Sequence, residues 1–278
     1  MKKRIISLCL LFAVLVGLAG TLSGCENVKT RADTQDTWAK IKKRGYVIVG
    51  LDDSFVPMGF REKSGKLVGY DVDLARAVFK LYGIKISFQT IDWSMNATEL
   101  RNGTIDLIWN GYTKNAQREK VVAFSNTYLK NKQVLVSLKK NHINSFNDMT
   151  GKTLGVQSGS SGYESLENNP TLLKNKIANK TPIQYDTFTN AFLDLNAGRI
   201  KGLLIDSVYA NYYIKHESNS ADYNETQGTF KSEDFAVGMR KGDKTMRKKI
   251  NAGLKELKAN GTLAKINKKW FGNQKVEN

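Results

Sequence analysis

Apolar and polar positions change period along this chain, and the changes predict alternating strands and helices. YVIVGL (46–51) is an almost unbroken apolar run of strand length. DVDLARAVFKLYG (71–83) spaces its apolar residues three and four apart, as a helix with one buried stripe does. IKISFQTI (84–91) returns to strand character, a polar helix-like stretch follows at 94–102, and TIDLIWN (104–110) reads as the next strand. The cycle restarts after residue 133. QVLVSLKK (133–140) predicts a strand, and SFNDMTGKTLGVQSGSSG (145–162) reads as helix, turn, strand and Gly/Ser-rich loop. Such alternation predicts an α/β fold with crossover helices. LRNGTIDLIWN (100–110) and LNAGRIKGLLID (195–206) share L-x-x-G-x-I, a helix end running into a buried strand. Gly103 and Gly198 stand where a C-terminal cap belongs. The echo is short, but it hints at two similar halves.

The first residues follow another pattern. Lys2, Lys3 and Arg4 precede an apolar run from Ile5 to Ala19, which ends in Leu22-Ser23-Gly24-Cys25. The run is shorter and differently flanked than the roughly 20 residues of a membrane span, so residues 1–24 read as a cleavable export signal. L-S-G-C resembles a bacterial lipobox, which would leave Cys25 as a lipid-modified N-terminus; the alternative is a plain signal with a chance cysteine. Residues 25–37 are polar and aperiodic and are expected to form a flexible tether. Cys9 and Cys25 are the two cysteines, so the remainder holds neither thiol nor disulfide. The formal net charge is +17, but the lysines are scattered along helical segments between apolar positions. With export, that spacing points to a solvated cationic surface and not to a nucleic-acid site.

Catalytic motifs are scarce. His142 and His216 lie in polar, lysine-rich surroundings without ligand-like spacing, and no Cys/His metal set, nucleophile elbow or Walker loop is present. Groups suited to a zwitterion are more evident. Both echoed strands end in polar residues, Asn110-Gly111-Tyr112-Thr113 and Asp206-Ser207, where open α/β sheets bind ligands. Ser158-Gly159-Ser160-Ser161-Gly162 follows a strand and precedes a helix, so its hydroxyls and N–H groups could converge on an anion. Arg118 could grip a carboxylate through two parallel bonds. Asp206 needs a cationic partner if buried, either a lysine of the protein or a ligand ammonium. Phe55 and Trp93 each follow a strand, where core packing and pocket lining are both open.

FVPMGF (55–60), VGYDVDLARAV (68–78), NGYTKNAQREKVVAFS (110–125), GVQSGSSG (155–162), LLIDSVYANY (203–212) and ELKANGTLAKINKKWFG (256–272) together resemble the polar amino acid-binding lipoproteins of bacterial ABC importers, solute-binding protein family 3. Glutamine, histidine and lysine-arginine-ornithine binders belong there, and the match is most similar to Gram-positive members. The resemblance implies two Rossmann-like lobes joined by a two-strand hinge, the periplasmic binding protein-like II fold. Lobe 1 would span 38–129 and 235–278, lobe 2 would span 130–234, and the crossing strands would lie near 128–132 and 230–236. It implies an α-carboxylate clamp of Arg118, Thr113, Ser160 and Ser161, an ammonium site of Asp206 and the Gly111 carbonyl beside Asn110, side-chain enclosure by Phe55 and Trp93, and Asp52 near the far end. Gln157 stands where glutamine binders carry lysine, which favours a basic ligand such as arginine over glutamine or cystine. No cofactor, no metal and no nucleic acid are implied. The expected partners are a free amino acid, permease subunits and, through lipid on Cys25, the outer face of the cell membrane, with the protein a monomer. An exported enzyme on the same fold is the alternative class; it would need an acid or base free to act in the cleft.

Overall fold

The computed structural model describes residues 23–273. Two five-stranded sheets carry the fold. The first runs Lys85–Thr90, Tyr46–Leu51, Leu107–Ile108, Gly238–Met239, Ala123–Phe124 from edge to edge. Its first three strands are parallel, and Gly238–Met239 is antiparallel to both neighbours. The second runs Ile183–Tyr185, Leu154–Gln157, Gly202–Asp206, Gln133–Leu138, Tyr223–Gln227. Again three parallel strands are joined by one antiparallel to both neighbours. In each parallel trio the strand earliest in the chain lies in the middle, which makes a topological switch point at its carboxyl end. The chain passes between sheets in a small antiparallel sheet, Thr113–Lys114, Glu233–Phe235, Leu129–Asn131. The fold is α/β, with the two lobes joined by the crossing strands Leu129–Asn131 and Glu233–Phe235.

The apolar runs act as their patterns predict. Val47, Val49 and Leu51 are fully buried in the first sheet, and Tyr70–Lys80 buries Leu74, Ala75, Val78 and Phe79 against it. The C-terminal helices Lys244–Ala259 and Thr262–Phe271 return onto that helix. A Cβ on Gly253 would lie 2.9 Å from Val78 Cγ1, so the approach depends on glycine. Gly103 and Gly198 adopt φ of +84° and +73° just beyond their helices, the left-handed geometry that spares glycine a Cβ clash.

Two segments differ from their patterns. TIDLIWN pairs as a strand only over Leu107–Ile108, because the Asp106 carboxylate takes the Ile48 N–H (2.9 Å) that a backbone carbonyl would otherwise receive. That carboxylate is held in turn by Arg44 and Arg240. The stretch expected as a tether is helical over Ser23–Thr34. Ala32 is buried, its carbonyl accepts the Gly242 N–H (3.0 Å), and Asp33 pairs with Arg101 at 2.8 Å. A helix this short is marginal alone and shows no apolar stripe, so its order comes from docking and not from its own composition. The expected export signal lies outside the described residues except for its last two.

Asp71 is buried where the first lobe meets the crossing strands. Its Oδ2 accepts the Gly111 N–H (2.7 Å) and the Tyr128 hydroxyl (2.8 Å), while Oδ1 has no hydrogen-bond partner. Burial raises its pKa from 3.8 to about 7, and the Gly111 N–H, the Tyr128 hydroxyl and the nearby Trp109 indole offset only part of the cost. The folded-state value lies above the unfolded one, so the proton-bound form stabilises the fold at low pH. That contribution falls away as pH rises from about 4 towards 7, by on the order of 4 kcal/mol. Asp71→Asn keeps an acceptor oxygen without the charge. Thermal unfolding of both proteins between about pH 5 and 8 should show the wild type losing stability relative to the variant; parallel curves would show that Asp71 is not the titrating group.

Candidate ligand-binding site

The carboxyl ends of both parallel trios face each other, and the polar residues that terminate the strands meet there. From the first lobe come Asp52, after Tyr46–Leu51, and Asn110, Gly111 and Thr113, after Leu107–Ile108. From the second come Gln157, Ser160 and Ser161, after Leu154–Gln157, and Asp206, which ends Gly202–Asp206 and precedes the helix Ser207–His216. All of these side chains are buried.

Hydrogen bonds and an ion pair cross the cleft. Gln157 Nε2 donates to Asp52 Oδ2 at 2.8 Å and to the Asp186 carbonyl at 2.9 Å. Asp52 Oδ1 also accepts the Ser54 N–H and hydroxyl, yet burial outweighs these bonds and pushes its carboxyl above the usual range. Thr113 Oγ1 lies 3.1 Å from Ser161 Oγ. Arg118 donates Nε to Glu164 (3.0 Å) and its terminal nitrogens to the Thr113 and Gly159 carbonyls (3.0 Å each), with its guanidinium over the Tyr112 ring. Gly159, at φ +69°, lies so close to Ser94 that a Cβ would come within 2.7 Å of its Cα.

Local sequence explains these placements. Asn115 caps the short helix Ala116–Glu119 by accepting the Arg118 N–H (2.9 Å), and its Nδ2 reaches Glu164, so residue and partner are oriented together. Ser160 caps Ser161–Asn168 by accepting the Tyr163 N–H at 3.1 Å. Gly111 takes φ +58°, where a Cβ would meet Phe55 and Phe235. Asn110 Oδ1 accepts the Asp52 N–H, and its buried Nδ2 has no partner.

The two predicted aromatics part company. Phe55 joins Phe188 and Tyr209 of the second lobe at centroid distances of 5.9 and 5.4 Å, which walls the cleft beside Asp52 with rings from both sides. Trp93 turns its edge to Tyr112 and belongs to a separate apolar cluster with Leu100 and Ile105. It supports the ring under Arg118. His216 is exposed and stacks on Tyr212, away from the site. Among the described residues no group of His, Cys, Asp and Glu could hold a metal.

Sequence reasoning missed the crossing strands as a source of site residues. Gln133 pairs in register with Asp206, and its Nε2 donates to Asp206 Oδ1 (2.9 Å), Glu233 Oε2 (3.1 Å) and Ser161 Oγ (3.2 Å). Asn131 Nδ2 bonds both carboxylates. Glu233 Oε2 also accepts from Thr113 and Ser161. Burial, then the neighbouring Glu233, pushes the Asp206 carboxyl well above its ordinary value, against the amide bonds and Arg118. A polar residue opening an otherwise apolar run, Gln133 before VLVSL, was the available signal, and Glu233 carried none. Phe188, Tyr209 and Glu164 had none, since each reads as an ordinary helix position.

What the arrangement offers is one guanidinium, several hydroxyls and three buried carboxylates between two lobes, with aromatic walls at one end. It is equipped to hold a small polar molecule through its charges. Residues 47–273 match the model for bacterial extracellular solute-binding proteins, family 3. The chain is 31% identical to the L-cystine-binding protein TcyA of Bacillus subtilis over 98% of each chain, and 30% identical to the arginine-binding extracellular protein ArtP of the same organism over 99% and 100%. A crystal structure of an ABC uptake transporter substrate-binding protein from Streptococcus pneumoniae with bound histidine is 50% identical, with a TM-score of 0.86, over 87% of this chain and 99% of that one. The chain therefore belongs to family 3 of the bacterial extracellular solute-binding proteins.

Proposed function

We propose that this chain is the extracytoplasmic substrate-binding protein of an amino acid ABC importer and that its ligand is a basic L-amino acid, arginine or histidine. The observation that carries the choice is charge. Asp52, Asp206 and Glu233 are buried around the cleft, while Arg118, the buried cation beside them, already has Glu164 as a partner. A ligand with a net positive charge offsets this imbalance, and one with a second carboxylate worsens it. Arg118, Thr113, Ser160 and Ser161 receive the α-carboxylate, Asp206 and the Gly111 carbonyl receive the α-ammonium, and Phe55, Phe188 and Tyr209 flank the side chain with Asp52 beyond. Similarity to a histidine-bound structure and to an arginine binder supports this reading. Cystine is the second reading, favoured by similarity to TcyA and by the Gln157 amide that already occupies one oxygen of Asp52.

Lobe 1 takes in 38–129 and 235–278, lobe 2 takes in 130–234, and the lobes swing about the crossing strands, a hinge closure of the kind that sequesters ligands. The importer's permease recognises the closed face, and the binder works as a monomer. Leu22-Ser23-Gly24-Cys25 supports lipidation of Cys25 on the outer face of the membrane. With Ser23–Thr34 docked on the first lobe, the anchor would enter a helix and hold that lobe close to the bilayer.

Thermal-shift and calorimetric titration with arginine, histidine, lysine, glutamine, cystine and glutamate tests the ligand class, because binding to the folded state raises its melting temperature. Arginine or histidine should bind tightest and glutamate not at all; tight glutamate binding would overturn the charge argument. Arg118→Ala and Asp206→Ala each leave a buried charge unpaired in the complex, a cost of roughly 3–5 kcal/mol, so affinity should fall at least about a hundredfold in proteins shown to be folded. Unimpaired binding would reject the site. Cys25→Ser should abolish acyl labelling and release soluble, ligand-competent protein, whereas equal membrane retention would refute lipidation.

A further inference from the structure

Glu233 lies on a crossing strand, outside the polar strand ends that make up the rest of the site. Its Oε2 accepts from Thr113 Oγ1 at 3.0 Å, Asn131 Nδ2 at 3.0 Å, Gln133 Nε2 at 3.1 Å and Ser161 Oγ at 3.1 Å. Two of these donors, Asn131 Nδ2 and Gln133 Nε2, also bond Asp206 Oδ1, so the two carboxylates face one another across shared amide groups. Donors are short in this cluster. The two hydrogens of Gln133 Nε2 serve three acceptors, the single Thr113 hydroxyl hydrogen serves two, and Gln133 Oε1 is buried with no partner. Among the described residues no cationic side chain forms an ion pair with Asp206 or Glu233; Arg118, the charged group that acts on Asp206 from the facing elements, is paired with Glu164. Lys130, on the neighbouring strand, is paired with Asp234.

Two buried carboxylates beside one another, held by neutral donors alone, are stable with one proton or one cation between them. We infer that Glu233 is a specificity-determining residue of the ammonium subsite, its carboxylate set beside Asp206 so that the α-ammonium of an amino acid is held between the two. The inference rests on the reading that Asp206 receives that ammonium. An ammonium carries three donors. Asp206 and the Gly111 carbonyl take two, and Glu233 takes the third, which releases the Thr113 and Ser161 hydroxyls to the ligand carboxylate. The ammonium arrives and stays protonated, and a proton held by the buried Asp206 carboxyl leaves for solvent. Binding therefore weakens as pH falls and protons compete for Asp206. The requirement concerns the ligand's amino group and not its side chain, so it excludes deaminated acids whichever side chain the far end prefers.

L-Arginine and L-histidine, with their deaminated counterparts 5-guanidinopentanoic acid and 3-(imidazol-4-yl)propanoic acid, are the probes. Calorimetry of the wild type in buffers of differing ionisation enthalpy should show release of a fraction of a proton on amino acid binding near neutral pH. Glu233→Gln keeps the shape and removes the charge. It should raise Kd for the bound amino acid at least about thirtyfold, reduce the proton release, and leave the weaker affinity for the deaminated acid unchanged or improved. Unaltered amino acid affinity in Glu233→Gln, or an equal loss for amino and deaminated ligands, would overturn the assignment, the second marking Glu233 as hinge support. Buffer-independent heats in the wild type would overturn it without any variant. A wild type that binds neither amino acid would sink the proposed function instead, so the two failures are told apart.

Discussion

Charge taken out of water between the lobes is the constraint on which the rest depends. Asp52, Arg118, Asp206 and Glu233 are all buried, and each needs bonds to replace its hydration. Asp52 obtains them from Ser54 on its own lobe and Gln157 on the other, and Arg118 from Thr113 on one side and Gly159 and Glu164 on the other. Closing the cleft is therefore part of how these groups are solvated. On the proposed reading, opening would exchange the same bonds for water, and a ligand's differential contribution would decide between the two arrangements. Asp206 and Glu233 differ, since amides and hydroxyls bond them and no cationic side chain among the described residues forms an ion pair with either.

Hinge and site share residues. Asn131 and Glu233 lie on the two strands that cross between the lobes, and Gln133 begins the strand that follows. Whatever occupies the space beside Asp206 and Glu233 thus acts on the segment whose backbone must bend when the lobes swing. On the proposed reading, recognition of charge and closure are coupled through these side chains directly.

The relatives with different named ligands fit the same division of labour. An arginine binder and a cystine binder align with this chain over 98% or more of its length, and a histidine-bound protein shares its fold with a TM-score of 0.86. A zwitterionic head common to every amino acid calls for one set of groups. On the proposed reading the side chain is met by a separate set: Asp52, Gln157 and the rings of Phe55, Phe188 and Tyr209. Exchanging Gln157 for a charged residue would alter the far end without disturbing Arg118 or Asp206.

Much of the architecture was legible along the chain. Val47, Val49 and Leu51 alternate with positions that are also largely covered, and a strand buried on both faces shows as an apolar run. Gly103 and Gly198 mark helix ends because only a residue without a Cβ enters that backbone region cheaply. Asn110 to Thr113, Arg118 and Asp206 stood out as polar groups closing apolar strands, and the structure brings them to one cleft. Tertiary structure decided the rest. Nothing local shows that Ser23–Thr34 docks, because its order depends on Arg101 and Gly242, some seventy and two hundred residues away. Nor does local pattern separate Phe55, which meets two rings of the other lobe, from Trp93, which packs within its own. Glu233 reads as one more acid in a lysine-rich chain until antiparallel register sets it beside Asn131 and near Asp206. Periodicity reports which face of an element is buried. It does not report which distant face it is buried against, and the energy of a buried charge is set by that partner.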